Sequence, residues 1–252
     1  MTLAHQDTVV SWNEPDPVPL RGTLVVLPGR GESAQVYERF GRRIATDAYR
    51  VHVVAAPSDS AERTHDQVLG LLAAADQQTP RIVVGSDAGA AYAAHLAARA
   101  DLPGATALIL AGLPTSAAAA PAQDWDEELA TRTTCPTHRR RISDGAVRPA
   151  ELFAGLPGDW FSPSAPARIA VPVLGIHGHE DPLSPIEAAR AWYSSVRTAE
   201  LVTIDGGRHD VLNDQTHRTV AASVVLFLER LRAGADLAPI AATERFRAPV
   251  TP

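Results

Sequence analysis

The stretch Arg81-Ile82-Val83-Val84-Gly85-Ser86-Asp87-Ala88-Gly89 decides the fold. An apolar, β-branched run enters a glycine-bracketed turn, and residues 88–100 then have the alanine-rich composition of a helix packed closely on a sheet. A Gly-x-X-x-Gly turn between a strand and a helix is sharp and strained, and it lifts its central side chain into a site. Because Gly85 and Gly89 bracket Asp87, the spacing assigns the elbow position to the aspartate and not to Ser86.

Outward from this turn, strand-like and helix-like segments alternate along the chain. Strands are predicted at 22–27, 49–55, 81–84, 105–111, 171–176 and 200–204, and helices at 36–48, 60–78, 88–100, 185–194 and 215–232. Repeated β-α units predict a mostly parallel central sheet flanked by helices, in a single α/β domain spanning 1–252. The tail, 233–252, is predicted to be irregular.

The alternation stops between Leu113 and Ile169. This stretch is too long for a simple loop, so we expect short helices of its own and interpret it as a lid over the sheet edge. Its aromatic residues Trp125, Trp160 and Phe161 are candidates for lining a substrate site, as is Ser86 beside the elbow.

Composition excludes several classes of function. With 252 residues and a net charge of −6, the chain predicts one globular domain and no non-specific binding of nucleic acid. The absence of lysine rules out Schiff-base or P-loop chemistry, and the single Cys135 rules out an internal disulfide and predicts a cytoplasmic setting. Residues 1–19 lack the pattern of a signal peptide, and no apolar stretch is long enough to span a membrane. No metal or cofactor is expected; a homodimer is left open.

Two further polar loops directly follow predicted strands. Gly178-His179-Glu180-Asp181-Pro182 follows one, and Gly206-Gly207-Arg208-His209-Asp210 follows the next. The carboxyl ends of parallel strands meet at one edge of a sheet, so Asp87, Asp181 and His209 should converge there as a triad. Glu180 competes for the orienting role, but the Asp-Pro step favours Asp181.

The loop Pro28-Gly29-Arg30-Gly31-Glu32 follows the first predicted strand. Its glycines allow backbone N–H groups to turn toward the elbow, so the N–H groups of Arg30 and Ala88 are the expected oxyanion hole. Only the backbone of Arg30 enters this interpretation, and its side chain is expected to be solvated.

With these motifs, residues 22–232 resemble an α/β-hydrolase. The 28–32 loop with Tyr37, and residues 207–213, resemble the monoacylglycerol lipase and lysophospholipase branch, which would have His at position 28 and Ser at position 87. An aspartate at the elbow is instead similar to the epoxide hydrolases and haloalkane dehalogenases, which form an alkyl-ester intermediate. The chain departs from those groups too, because 113–169 contains no tyrosine and Ala88 stands where dehalogenases place tryptophan.

The sequence therefore predicts a cofactor-independent hydrolase that attacks a small apolar substrate with Asp87. His209, oriented by Asp181, would activate water to hydrolyse the alkyl-Asp87 ester. Two alternatives stay open: an esterase or lipase-like enzyme in which Asp87 acts unusually or Ser86 is recruited, and an inactive hydrolase fold used as a binding module.

Overall fold

A computed structural model of the protein describes residues 9–121, 124–234 and 236–244. Seven strands form one sheet in the order β1-β3-β2-β4-β5-β6-β7. The strands are β1 (Val10–Trp12), β2 (Gly22–Leu27), β3 (Tyr49–Val53), β4 (Arg81–Ser86), β5 (Ala107–Ala111), β6 (Val173–Gly178) and β7 (Ala199–Ile204). β1 pairs antiparallel with β3, and all the other pairings are parallel. The predicted mostly parallel sheet is confirmed.

Eight α-helices accompany these strands in the described part of the chain. They are α1 (Glu38–Thr46), α2 (Ala61–Ala74), α3 (Ala88–Ala98), α4 (Trp125–Arg132), α5 (Pro136–Arg141), α6 (Ala165–Arg168), α7 (Ile186–Tyr193) and α8 (His217–Ala233). One hydrophobic layer joins α1 and α8 to one face of the sheet, and a second joins α2, α3 and α7 to the other. Strands β2, β5 and β6 are buried along their whole length because both faces are covered.

The first strand is missing from the sequence prediction. β1 has only three residues, and it adds an antiparallel edge outside the βα repeat from which the other strands were predicted. The Trp12 ring packs so closely on α1 that a side chain at Gly41 would clash with it. This antiparallel edge strand extends the sheet beyond the predicted parallel strands.

The stretch between β5 and β6 contains the expected short helices. Besides α4, α5 and α6 it holds a π-helical turn at Ile142–Ala146 and 3-10 helices at Glu151–Phe153 and Gly158–Phe161. We call residues 112–172 the covering segment. In the described part of the tail, residue 234 and residues 236–244 form no helix or strand, yet Leu237 is buried in the core. Residues 235 and 245–252 of the predicted tail lie outside the described residues.

Within the described ranges, no helix combines the length and apolar character needed to cross a membrane.

The turn between β4 and α3 is fixed by close backbone approach. A Cβ on Gly89 would lie 2.0 Å from the Leu27 carbonyl oxygen, and one on Gly85 would lie 2.4 Å from the Gly89 carbonyl oxygen. Neither neighbour is a flexible side chain that could move aside. α3 can therefore begin at the elbow only if both positions are glycine.

We predict that Gly89→Ala destabilises the protein by about 3 kcal/mol or more, because its methyl group overlaps backbone of β2. Gly70→Ala is the matched control: a Cβ added there, in the interior of α2, would have no neighbour within 4 Å, so it should stabilise the protein by roughly 0.5–1 kcal/mol. Urea unfolding measures both. Equal stabilities for the two variants would contradict the close packing at the elbow.

Candidate active site

Asp87 occupies the turn in a conformation that few side chains adopt. Its backbone angles are φ 46° and ψ −117°, in a region that is costly for a residue with a Cβ. The strain is held by the Asp87 N–H, which donates to the Ala111 carbonyl of β5 at 3.0 Å, and by the Asp87 carbonyl, which accepts from Ala90 and Ala91 in α3. The elbow thus directs Asp87 to the carboxyl edge of the sheet.

The Asp87 carboxylate forms a hydrogen-bonded ion pair with Arg30, which we call the clasp. The Arg30 backbone N–H donates to Asp87 Oδ2 at 2.8 Å, and the guanidinium donates from Nε to Oδ2 at 2.9 Å and from Nη2 to Oδ1 at 2.6 Å. The remaining Nη1 donates to the Ala154 carbonyl of the covering segment at 2.5 Å. Arg30 is only 4 % exposed and Asp87 2 %. The expectation of a solvated Arg30 side chain is wrong, because Arg30 supplies the charge that a buried carboxylate needs.

His209 lies on the other side of the carboxylate. Its Nε2 is 3.1 Å from Asp87 Oδ1, close enough for an ion pair, although no aligned hydrogen bond joins the two atoms. Its Nδ1 is 2.7 Å from Asp181 Oδ2. Asp181 Oδ1 accepts from the backbone N–H groups of Leu183 and Ser184, which fixes the carboxylate in the turn after β6. Asp181, and not Glu180, therefore contacts the histidine.

The charges alternate across these four side chains. Burial acts to raise the pKa of Asp87, but the Arg30 charge and the neighbouring His209 outweigh it and hold this pKa well below its usual range. Burial acts to lower the pKa of His209, but Asp181 and then Asp87 outweigh it and raise this pKa to about 10. The raised pKa favours the imidazolium form of His209 while Asp87 is ionised.

A buried ion network supports the two loops that carry Arg30 and His209. Arg132 of α4 is fully buried. Its guanidinium donates hydrogen bonds to the Arg30 carbonyl at 3.1 Å and to Glu128 at 3.0 Å. It also forms ion pairs with Glu32 at 3.3 Å and with Asp210 at 3.5 Å. The backbone N–H of His209 donates to the Thr131 carbonyl at 3.2 Å. α4 is therefore anchored under the site by charges as well as by packing.

Glu32 has a second role in the Arg30 loop. It accepts from the Gly29 N–H at 2.9 Å and from the Tyr37 hydroxyl. Its burial, followed by the nearby Asp210 charge, raises the pKa of Glu32 to about 7. This carboxyl group and Tyr37 hold the Gly29 N–H and so fix the start of the Arg30 loop.

A cavity of about 620 Å³ adjoins the clasp. It is lined by Arg30 together with Pro57, Ser58, Asp59, Glu151, Ala154, Gly155, Leu156 and Pro157. The aromatic residues proposed from sequence are elsewhere. Trp160 and Phe161 line a separate cavity of about 250 Å³ beside α3, and Trp125 packs against the hydrophobic layer of α1 and α8.

The remaining predicted site residues lie in or beside the elbow and the Arg30 loop. Ser86 is the last residue of β4 and interacts with the Tyr37 hydroxyl, and Ala88 begins α3. A Cβ on Gly29 would lie 3.1 Å from that of Asp87, and Gly31 has a φ of 71°. Among the residues that the structure describes, no group of three or more His, Cys, Asp or Glu side chains is arranged to hold a metal ion.

Sequence reasoning missed the Arg30 side chain, the Arg132 network and the cavity lining. For Arg30 a signal existed: an arginine in a loop that faces a buried aspartate is an obvious partner for it. For Arg132, only the partner Glu128, four residues earlier on α4, is local; the other partners lie in the Arg30 loop and at Asp210, which the sequence does not connect with it.

Comparison with known structures identifies the fold. The chain has the α/β-hydrolase fold. It aligns with monoglyceride lipase from Saccharomyces cerevisiae at a TM-score of 0.70 and 13% identity, covering 88% of this chain and 91% of that one. It aligns with a monoacylglycerol lipase from Paleococcus ferrophilus at a TM-score of 0.68 and 15% identity, covering 88% of this chain and 97% of that one. It aligns with proline iminopeptidase from Mycobacterium smegmatis at a TM-score of 0.65 and 16% identity, covering 89% of this chain and 95% of that one.

Sequence comparison adds a partial match. A family model described as TAP-like protein, of the α/β-hydrolase type, matches residues 156–236, which include Asp181 and His209. No curated protein matches the chain. At these identities the structural likeness establishes the fold, and the chemistry has to be argued from the site itself.

We predict that His209 titrates far above the ordinary histidine range, with a pKa of about 10, in an NMR pH titration of the imidazole. Asp87→Asn should lower this pKa because it removes one of the two flanking charges. Because the folded pKa exceeds the unfolded value of about 6.5, the resulting stabilisation is complete below that pH and is lost as pH rises toward 10.

Asp59→Asn is the control, since it removes a carboxylate from the cavity rim and leaves both partners of His209 in place. A His209 pKa near 6.5 in the unmodified protein would contradict the paired arrangement.

Proposed function

We propose that the protein is a cofactor-independent hydrolase that uses Asp87 as a nucleophile on a saturated carbon and passes through an alkyl-aspartyl ester. The Asp87-His209-Asp181 arrangement supplies a nucleophile, a base and an orienting group within contact distance. Carbon bearing a halide or an epoxide oxygen suits this nucleophile, because attack on a carboxylic ester would produce an unstable mixed anhydride.

The observation that carries the proposal is the position of Asp87 Oδ2. This oxygen accepts the Arg30 backbone N–H, the donor expected to line an oxyanion hole. In a serine esterase that donor receives the carbonyl oxygen of the substrate. Here the Arg30 N–H already binds Asp87 Oδ2. Negative charge develops on this oxygen when an Asp87 ester is hydrolysed. The arrangement favours the alkyl-ester route over hydrolysis of a substrate ester.

In the first step, Asp87 Oδ1 forms a bond to the substrate carbon as the carbon–leaving-group bond breaks. The bonding electrons leave with the halide, or with the epoxide oxygen, which then takes up a proton. The Asp87 carboxyl loses its charge on becoming an ester. Because that charge helps to keep His209 protonated, the pKa of His209 falls, and its proton can pass to solvent.

In the second step, neutral His209 accepts a proton from water as the water oxygen attacks the ester carbonyl carbon. The developing charge on Oδ2 is stabilised by the Arg30 N–H and, in the proposal, by that of Ala88. Collapse breaks the bond to the alkoxide, which takes the proton from His209 and leaves as the alcohol. The Asp87 carboxyl then gives up the remaining water proton and is again a carboxylate, with one oxygen derived from water. Asp181 holds the imidazole in orientation throughout.

A second candidate function rests on the clasp itself. Both Asp87 oxygens are occupied by Arg30 and the carboxylate is buried, so a permanently clasped protein would bind ligands in the 620 Å³ cavity without turnover. The recruitment of Ser86 has less support, since its hydroxyl interacts with Tyr37. The partner implied by the proposal is a small molecule; cytoplasmic location and a homodimer stay predictions.

Single turnover in heavy-oxygen water tests the proposal, with an epoxide and a haloalkane panel as substrates. We predict that one labelled oxygen appears in the Asp87 carboxylate, detected by mass spectrometry of its peptide. His209→Gln should accumulate the alkylated peptide and lower turnover by about 100- to 10,000-fold, because it removes the base of the second step.

Asp87→Asn should form no adduct. Product formation without label in Asp87, or a fluorophosphonate adduct on Ser86, would refute the alkyl-aspartyl route. Ligand binding in the cavity with neither label nor adduct would favour the binding module.

A further inference from the structure

Arg30 stands between the cavity and the nucleophile. It is the only cationic side chain among the described residues that line the 620 Å³ cavity, and two of its nitrogens are bonded to Asp87. Asp87 itself is absent from the lining. A molecule in the cavity therefore meets the Arg30 side chain before it can meet the carboxylate.

The clasp suppresses the attack described above. Asp87 Oδ1 is the oxygen that the Arg30 backbone N–H does not contact. It accepts a hydrogen bond from Arg30 Nη2 and lies 3.1 Å from His209 Nε2. Charge-assisted hydrogen bonds of this kind are the strong ones, and they draw electron density away from the attacking oxygen. The Arg30 guanidinium has to leave Oδ1 while its backbone N–H stays on Oδ2.

A guanidinium leaves a buried carboxylate at low cost only if another anion takes its place, because an unpaired buried charge is strongly unfavourable. The two carboxylates of the cavity lining, Asp59 and Glu151, already form ion pairs. Asp59 and Glu151 both pair with Arg148, so they are not available as a second resting place for Arg30. The replacement anion has to come from the ligand.

We infer that the substrate carries its own carboxylate next to the electrophilic carbon, and that this group draws the Arg30 guanidinium off Asp87 and so releases the nucleophile. The inference rests on the proposed function for its chemistry, whereas the anion site rests on the position of Arg30 in the cavity lining. The guanidinium is planar and binds a carboxylate through two parallel hydrogen bonds, which also orients the adjacent carbon.

For a 2-halocarboxylate the reaction balances without a co-reactant. Asp87 Oδ1 bonds to carbon 2, and the halide leaves with the bonding electrons. Water then cleaves the ester at its carbonyl carbon, giving a 2-hydroxycarboxylate, a halide ion and one proton. Arg30 stays with the substrate carboxylate until the product departs and then returns to Asp87.

Binding is tested first with propionate, which has no leaving group, and with propionamide as its neutral counterpart. We expect saturable binding of propionate by calorimetry, weakened about 10- to 100-fold in Arg30→Gln and unchanged in Arg190→Gln, which removes an exposed arginine paired with Glu187 on α7. Arg30→Lys keeps a charge without the planar fork and should bind with intermediate affinity, so the test survives if the glutamine variant fails to fold.

Release of the nucleophile is tested with 2-chloropropionate and 2-chloropropionamide in the His209→Gln background, where the adduct accumulates, by the mass of the Asp87 peptide. With Arg30 intact, Asp87 should be alkylated faster by the anion, by about 10-fold or more. Arg30→Gln should invert this preference, because it frees Asp87 for the neutral reagent and removes the site for the anion.

The two proposals fail in different ways. Alkylation of Asp87 that is equally fast with the amide, or propionate binding unaffected by Arg30→Gln, overturns the anion inference and leaves the aspartyl route standing. Propionate binding through Arg30, with no alkylation of Asp87 by either reagent and no heavy-oxygen label in Asp87 from the epoxide and haloalkane panel, upholds the anion site and overturns the proposed function.

Discussion

A carboxylate buried at a strained turn has to be neutralised, and much of the site follows from that requirement. Asp87 is 2 % exposed, and the effective cost of burying one unpaired ion is several kcal/mol. Arg30 and His209 supply positive charge on either side of it, and Asp181 balances the histidine in turn. Because each of these side chains is itself buried, the loss of any one removes a compensating charge from its neighbour. The four side chains therefore form one electrostatic unit.

An aspartate in place of the usual serine changes which group accepts the hydrogen bond of the Arg30 backbone N–H. A serine hydroxyl leaves the amide free for a substrate, whereas the second oxygen of a carboxylate reaches it directly, at 2.8 Å here. Both Asp87 oxygens accept hydrogen bonds from Arg30, so in the proposed mechanism this geometry is a resting state. The proposed change to a reactive state requires movement of the Arg30 side chain and not of a domain.

The sequence was sufficient for the sheet and for the residues at its edge. Gly85 and Gly89 identified Asp87 as the elbow residue because their close backbone contacts are a local requirement of the turn. Chain order and strand ends brought Asp181 and His209 to the same edge. What could not be predicted depends on distant contacts: the Arg30 clasp joins residues 57 positions apart, and the cavity wall comes from a segment without a repeating pattern.

The covering segment is joined to the rest of the protein by different contacts along its length. Its first part is fixed through the fully buried Arg132, and residue 148 is hydrogen-bonded to the Gly31 carbonyl of the loop itself. Farther along, Phe153 and Leu156 exchange backbone hydrogen bonds with residues 117–120, which form neither helix nor strand. Ala154, between them, accepts the last guanidinium hydrogen bond of Arg30. Displacement of the Arg30 guanidinium would therefore act on this contact with Ala154, whereas the hydrogen bonds between α4 residues and the Arg30 and His209 loops do not involve the Arg30 guanidinium.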